Sequence, residues 1–190
     1  MRDDATQLLV RASQGDQAAV RDLAPLVYDE LRALARHYLP ADRAAGTPTL
    51  QPTALVHETF LRLIKQEAVD YKSRTHFLAA AATAMRCVLA DHARARGAAK
   101  RGGGWCRITL DNAVALQPQQ EVDFSALDEA LARLTQMKER AAKIVELRFF
   151  GGLSVEEVAD YLGVSARTVK GDWRTARAWL RAELAEANTS

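Results

Sequence analysis

The sequence predicts an all-α protein: two helical domains joined by a flexible linker, the second carrying a helix-turn-helix. Three observations lead there. Alanine, leucine, arginine and glutamate dominate, and apolar side chains recur three and four positions apart. Gly102-Gly103-Gly104 then opens a polar, proline-containing stretch with no helical stripe. Near the C-terminus a short amphipathic pattern stops at Gly163 and a basic one follows. With 48% apolar and 26% charged residues among 190, the composition is that of a globular chain.

The elements follow in order. Leu23, Leu26, Val27, Leu31, Leu34 and Tyr38 make one helical stripe, which Pro40 and the Gly46-Thr47-Pro48 run bring to a close. A second helix carries Leu55, Val56, Thr59, Phe60 and Leu63 on one side. A third starts near Arg74 and runs through HFLAAAATAMRCVLADHARARGAAKR. Its alanines let neighbouring helices approach closely, which suits the centre of a bundle. Residues 102–122 read as the linker between domains at 1–101 and 123–190, with a short strand over Arg107 to Leu110 as the alternative. Helices resume with Phe124, Leu127, Leu131 and Leu134, then Ile144, Val145, Leu147 and Phe149. No internal repeat is present.

The C-terminal pair is read most closely. Ser154 with Glu157 three residues later is a capping box, in which each side chain satisfies a free amide of the other. Val155, Val158, Ala159 and Leu162 face inward. Gly163 sits where the chain needs a left-handed turn, and Ser165 caps the second helix. Small Ala159 allows a close crossing that Val164 and Val169 plug. In such a motif the start of the second helix enters the major groove. Arg167, Thr168, Lys170, Gly171 and Arg174 project from that start, and Arg177 and Arg181 lie further along, suited to phosphates. Trp173 and Trp179 suit packing better than base stacking.

Charge distribution says more than the net value of +2. Arg86, Arg94, Arg96, Lys100, Arg101 and Arg107 stand against one acid, Asp91. Arg167, Lys170, Arg174, Arg177 and Arg181 stand against Asp172. Two basic patches imply two contacts with a polyanion, although each alone would also suit a solvated helix face.

Other classes find little support. No apolar run reaches the ~18 residues of a membrane helix, and MRDDATQLLV lacks the basic start of a secretion signal. Cys87 and Cys106 have no metal-ligand spacing, so reduced thiols in a cytoplasmic protein are expected. His57-Glu58 begins like a zinc-protease motif, but Leu61 stands where the second histidine belongs. The glycine run lacks the lysine and helix of a phosphate loop. The expectation is therefore no enzyme activity, no metal and no cofactor.

LSVEEVADYLGVSARTVKGDWRTARAWL, preceded by IVELRFFGG, resembles the last domain of a bacterial sigma factor of the extracytoplasmic-function (ECF) group. LVHETFLRLI is similar to that family's polymerase-binding segment, and AMRCVLADHARAR to its promoter-melting helix. The likeness spans nearly the whole chain. It implies core RNA polymerase and promoter DNA as partners, with an anti-sigma factor as a common regulator. The helix of Arg167 would read the −35 element. The segment from Tyr71 to Lys100 would engage and open the −10 element through Phe77, Arg86, His92, Arg94, Arg96 and Lys100, with Tyr71 and His76 near its start. Phe77 equally suits core packing, and His92 a plain surface position. Leu55, Val56, Glu58, Phe60 and Leu63 would lie on the polymerase-binding helix, part of that stripe facing the protein's own core. The alternative is an autonomous helix-turn-helix regulator, which would need its own dimer surface.

One departure from the family pattern stands out. Members carry acids just before the Leu-Val pair, whereas here the residues are Gln51-Pro52-Thr53-Ala54, and Asp42 is the only acid between Glu30 and Glu58. The charge complementarity expected with the polymerase is missing. A phosphate on Thr53, or on Thr49, would restore it, which suggests control by a serine/threonine kinase. The plainer alternative is that either threonine only caps the helix.

Overall fold

The computed structural model describes residues 7–8, 11, 17–39, 50–65, 73–99, 107–110 and 120–187. Lys100, Arg101, Cys106, Thr49, Tyr71, Pro40, Asp42 and the glycine run lie outside them. Six helices and one small hairpin make up the described architecture: α1 (Gln17–Tyr38), α2 (Pro52–Lys65), α3 (Arg74–Ala99), β1 (Arg107–Leu110), β2 (Gln120–Asp123), α4 (Phe124–Phe149), α5 (Val155–Leu162) and α6 (Ala166–Ala187).

Each helix starts where local chemistry allows. Pro52 opens α2, where its missing N–H costs nothing and its fixed φ suits a helix. Ser73 caps α3 by accepting from the His76 amide at 3.3 Å. Pro25 inside α1 is tolerated on an exposed position. α4 is interrupted at Lys138, whose φ of −149° and ψ of 75° are not helical.

The α3 prediction holds in a specific sense. Phe77, Leu78, Ala79, Ala81, Ala82, Ala84, Met85, Val88 and Leu89 are all buried, so apolar side chains surround the helix instead of lining one stripe. It lies between α2 on one side and α4 on the other. One continuous core runs from Leu31, Leu55 and Met85 through Phe124 and Phe150 to Val169 and Leu180. Phe150 anchors it, edge-on to Phe149 and Phe124 with ring centroids 4.8 and 6.2 Å apart.

Within the stretch read as a flexible linker, Arg107–Leu110 takes the strand alternative, and Gln120–Asp123 forms a second strand that the sequence reading did not anticipate. β1 and β2 pair antiparallel, Arg107 opposite Asp123 and Leu110 opposite Gln120. Their pairing partners lie ten to sixteen residues apart, beyond the reach of local patterning. Val122 goes into the core, and Asp123 leads directly into α4. Apart from this hairpin the described fold is all-α.

Candidate nucleic-acid interface

The C-terminal pair forms as its sequence dictates. Ser154 Oγ accepts from the Glu157 amide at 3.2 Å while Glu157 Oε2 accepts from the Ser154 amide at 2.8 Å, closing the capping box. Gly163 is left-handed at φ 65°, and its N–H turns back to Ala159 and Asp160 carbonyls. Ser165 Oγ accepts from the Thr168 amide at 3.1 Å. Val158 and Val169 are fully buried between the two helices, with Val164 half-buried beside them.

That frame fixes one face of α6. Arg167, Lys170 and Arg174 are exposed and fall three and four residues apart, so they share a side. Gly171 lies between them, half-buried, and an added Cβ there would meet nothing within 4 Å. Thr168 is half-buried with its hydroxyl 2.8 Å from Ser165 Oγ, and Arg177 and Arg181 are half-buried further along. The acid in this patch is neutralised: Arg140 Nε donates to Asp172 Oδ2 at 2.6 Å. Trp173 is buried beneath the Arg148 guanidinium, 4.4 Å from the ring centroid, and Trp179 is half-buried against the core. Both tryptophans are packing residues.

The second patch is more fully engaged. Phe77 is 5% exposed and belongs to the core, so the packing reading applies. His92 Nε2 meets Glu58 Oε1 at 2.9 Å, tying α3 to α2 in place of standing free. Arg86 is drawn to α4, its Nε donating to Asp128 at 2.8 Å and its Nη1 to Glu146 at 3.3 Å. Arg94 is 75% exposed despite its contact with Asp91 at 2.7 Å, and it is the clearest outward cation of this set. Asp91 also pairs with Arg62 of α2. The side chain of Arg96, like the whole of Lys100, lies outside the described residues.

On α2 the structure divides the apolar stripe. Leu55 and Val56 are fully buried and Leu63 nearly so, which leaves them no surface for a partner. Phe60 and Glu58 are half-buried. The outward line is Thr53, His57 and Leu61, four residues apart and all exposed, with Leu61 42% exposed. His57 and Leu61 lie on the side of α2 away from its apolar stripe, so apolar periodicity does not single them out, whereas their spacing of four does.

A model of the ECF sigma factor family matches residues 2–186 of the chain. The chain belongs to that family. A search of curated proteins returns no match. As an ECF sigma factor it acts with core RNA polymerase in promoter-directed initiation of transcription, and it binds DNA. Among the described residues no cluster of three or more His, Cys, Asp or Glu could hold a metal ion. No described helix is long and apolar enough to cross a membrane.

Glu146 is a buried carboxylate of the sigma factor, its side chain 9% exposed. Burial pushes its carboxyl up. Hydrogen bonds from Lys143 at 2.5 Å and Thr83 at 2.6 Å, together with the charges of Lys143 and Arg86, outweigh that and hold it below the usual range. Asp123 shifts the other way: burial raises it, and hydrogen bonds from Ser125 and Phe124 offset only part. A buried carboxylate kept charged by three groups from two helices is an ordered junction.

Proposed function

We propose that residues 123–190 carry −35 recognition and residues 1–101 carry polymerase binding and −10 engagement. The exposed Arg167–Lys170–Arg174 face of α6 carries this reading, since it stands on a capped, rigid helix pair. Arg167 and Arg174 suit bidentate contact with guanine, while Thr168 and Lys170 serve bases or phosphates and Gly171 leaves room for close approach. Arg177 positions the helix on phosphates. On α3, Arg94 is the first contact for a single strand. Thr53, His57, Leu61 and the exposed part of Phe60 meet the polymerase.

Control by phosphorylation deepens the same reading. Thr53 is exposed at the second position of α2, whose first turn has no acid. A phosphate there adds roughly −1.5 to −2 charges at a helix N-terminus, which the helix dipole favours. It would supply the carboxylates that Gln51-Pro52-Thr53-Ala54 lacks. Run-off transcription with core polymerase, with and without a serine/threonine kinase, tests this for wild type, Thr53→Ala and Thr53→Glu. The expected result is kinase-dependent wild type, inactive alanine and active glutamate. A fully active alanine variant removes the switch.

A further inference from the structure

Glu58 and Arg62 stand four residues apart on α2, a spacing at which a carboxylate and a guanidinium commonly pair with each other. Here each turns to α3 instead. Glu58, the only acid of α2, has its oxygens 2.9 and 3.1 Å from His92 Nε2. Arg62 Nη2 donates to Asp91 Oδ2. The other oxygen of that carboxylate, Oδ1, accepts from Arg94 Nη2 at 2.7 Å, while Arg94 Nε donates to the Ala90 carbonyl at 3.2 Å.

One carboxylate therefore holds two guanidiniums side by side, one from each helix, and positive charge is left in excess. Both heads stay open to solvent, with the Arg62 side chain 41% exposed and Arg94 more so. A guanidinium carries five N–H donors, and among the described residues Asp91 and Ala90 engage only Nη2 of Arg62 and Nη2 and Nε of Arg94. The rest are available to a ligand.

An exposed ion pair adds little to stability, so holding the fold together does not account for this arrangement. It has a clear consequence for binding. An arginine that is already ordered gives up less rotamer freedom when it meets an anion. A planar guanidinium matches phosphate oxygens in shape as well as charge. Arg62 is also turned toward α3, away from the outward line of Thr53, His57 and Leu61.

We propose that Arg62 of α2 joins Arg94 of α3 as a contact for the phosphate backbone of the −10 strand, a role that rests on the assignment of α3 to that element. The DNA-contacting surface then crosses the seam between α2 and α3, and one helix serves polymerase on one side and promoter on the other.

The test uses the full chain assembled with saturating core polymerase, every variant carrying Thr53→Glu so that assembly needs no kinase. A labelled fork probe presents the −10 element as a single strand, and anisotropy is followed over a range of salt. Arg62→Ala should lower the slope of log-affinity against log-salt by about 0.7, the value for one phosphate of a single strand. Arg94→Ala should do the same, and the double variant should lower it by about 1.4. The loss should be equal on probes of different −10 sequence, as a backbone contact requires. Arg62→Lys keeps the charge and should keep the slope. Arg36→Ala removes an equal charge from an exposed position on α1 and should leave the slope unchanged.

An unchanged slope for Arg62→Ala beside a lowered one for Arg94→Ala overturns the proposal and leaves the assignment of α3 standing. Unchanged slopes for both remove that assignment as well. An Arg62→Ala defect confined to titration of core polymerase would place the residue on the polymerase side and overturn the proposal. So would a slope lowered equally by Arg36→Ala, which marks a general charge effect, or by Arg62→Lys, which marks disturbed packing of α2 on α3.

Discussion

Two glycines share a backbone conformation and should differ in what alanine does to them. Gly163 has φ 65° and Gly152 has φ 63°. Alanine at either must adopt the left-handed region, at a cost of about 1–2 kcal/mol. At Gly163 that is the whole cost, because an added Cβ meets nothing within 4 Å. At Gly152 the new Cβ would sit 2.5 Å from Leu34 Cδ2, a contact no carbon pair tolerates. Leu34 is half-buried and Cδ2 is the far end of a flexible side chain, so it can rotate away at a cost of about 1 kcal/mol. Urea denaturation should therefore place Gly163→Ala about 1–2 kcal/mol below wild type and Gly152→Ala about 2–3 kcal/mol below it. The two contributions also separate by rescue. Leu34→Ala removes the obstructing branch, so the Gly152→Ala cost in that background should fall to the backbone term alone, a coupling of about 1 kcal/mol in a double-mutant cycle. Equal losses at the two glycines, or no coupling to Leu34, would refute the seating of this turn against α1.

Other outcomes follow from the same contacts. Ser154→Ala opens the capping box and should cost about 1 kcal/mol in urea melts, with Glu157→Gln costing less because it retains an acceptor. Arg167→Ala should lose about 1–3 kcal/mol of binding to its preferred promoter and little to other sequences, whereas Arg177→Ala should weaken both alike and flatten the salt dependence, as measured by fluorescence anisotropy. Glu146 is held below its usual range when folded, so its contribution is present above the ordinary carboxylate pKa of 4.5 and is lost as pH falls through the lower folded value. Glu146→Gln should accordingly flatten the acid limb of the stability–pH curve. Asp123 acts oppositely: its contribution is fully present below the ordinary value of 3.8 and is lost as pH rises from there through the higher folded value. Asp123→Asn should remove that opposing slope.

Much of the fold is legible along the chain because its signals are local. Ser154, Glu157, Gly163 and Ser165 act on amides and dihedral angles within a few residues, so their spacing was enough to place the helix pair and orient the Arg167 face. The alanine-rich run likewise announced a helix packed on more than one side. The fates of Arg86 and His92 were not legible, because their partners stand 42, 60 and 34 residues away. A basic residue in a sequence is only a candidate contact until the fold decides whether a carboxylate already holds it. The same holds for α2: periodicity finds the apolar stripe, but only packing against α1 and α3 makes Leu55, Val56 and Leu63 core and leaves Thr53, His57 and Leu61 outside. The hairpin needed a strand partner across an intervening loop, and the closure of α4 on α3 needed Glu146 beside Arg86. Sequence thus determined the helices, their caps and the family. Tertiary structure determined which charges and apolar groups remain available to a partner, because burial and ion pairing depend on residues far apart in the chain.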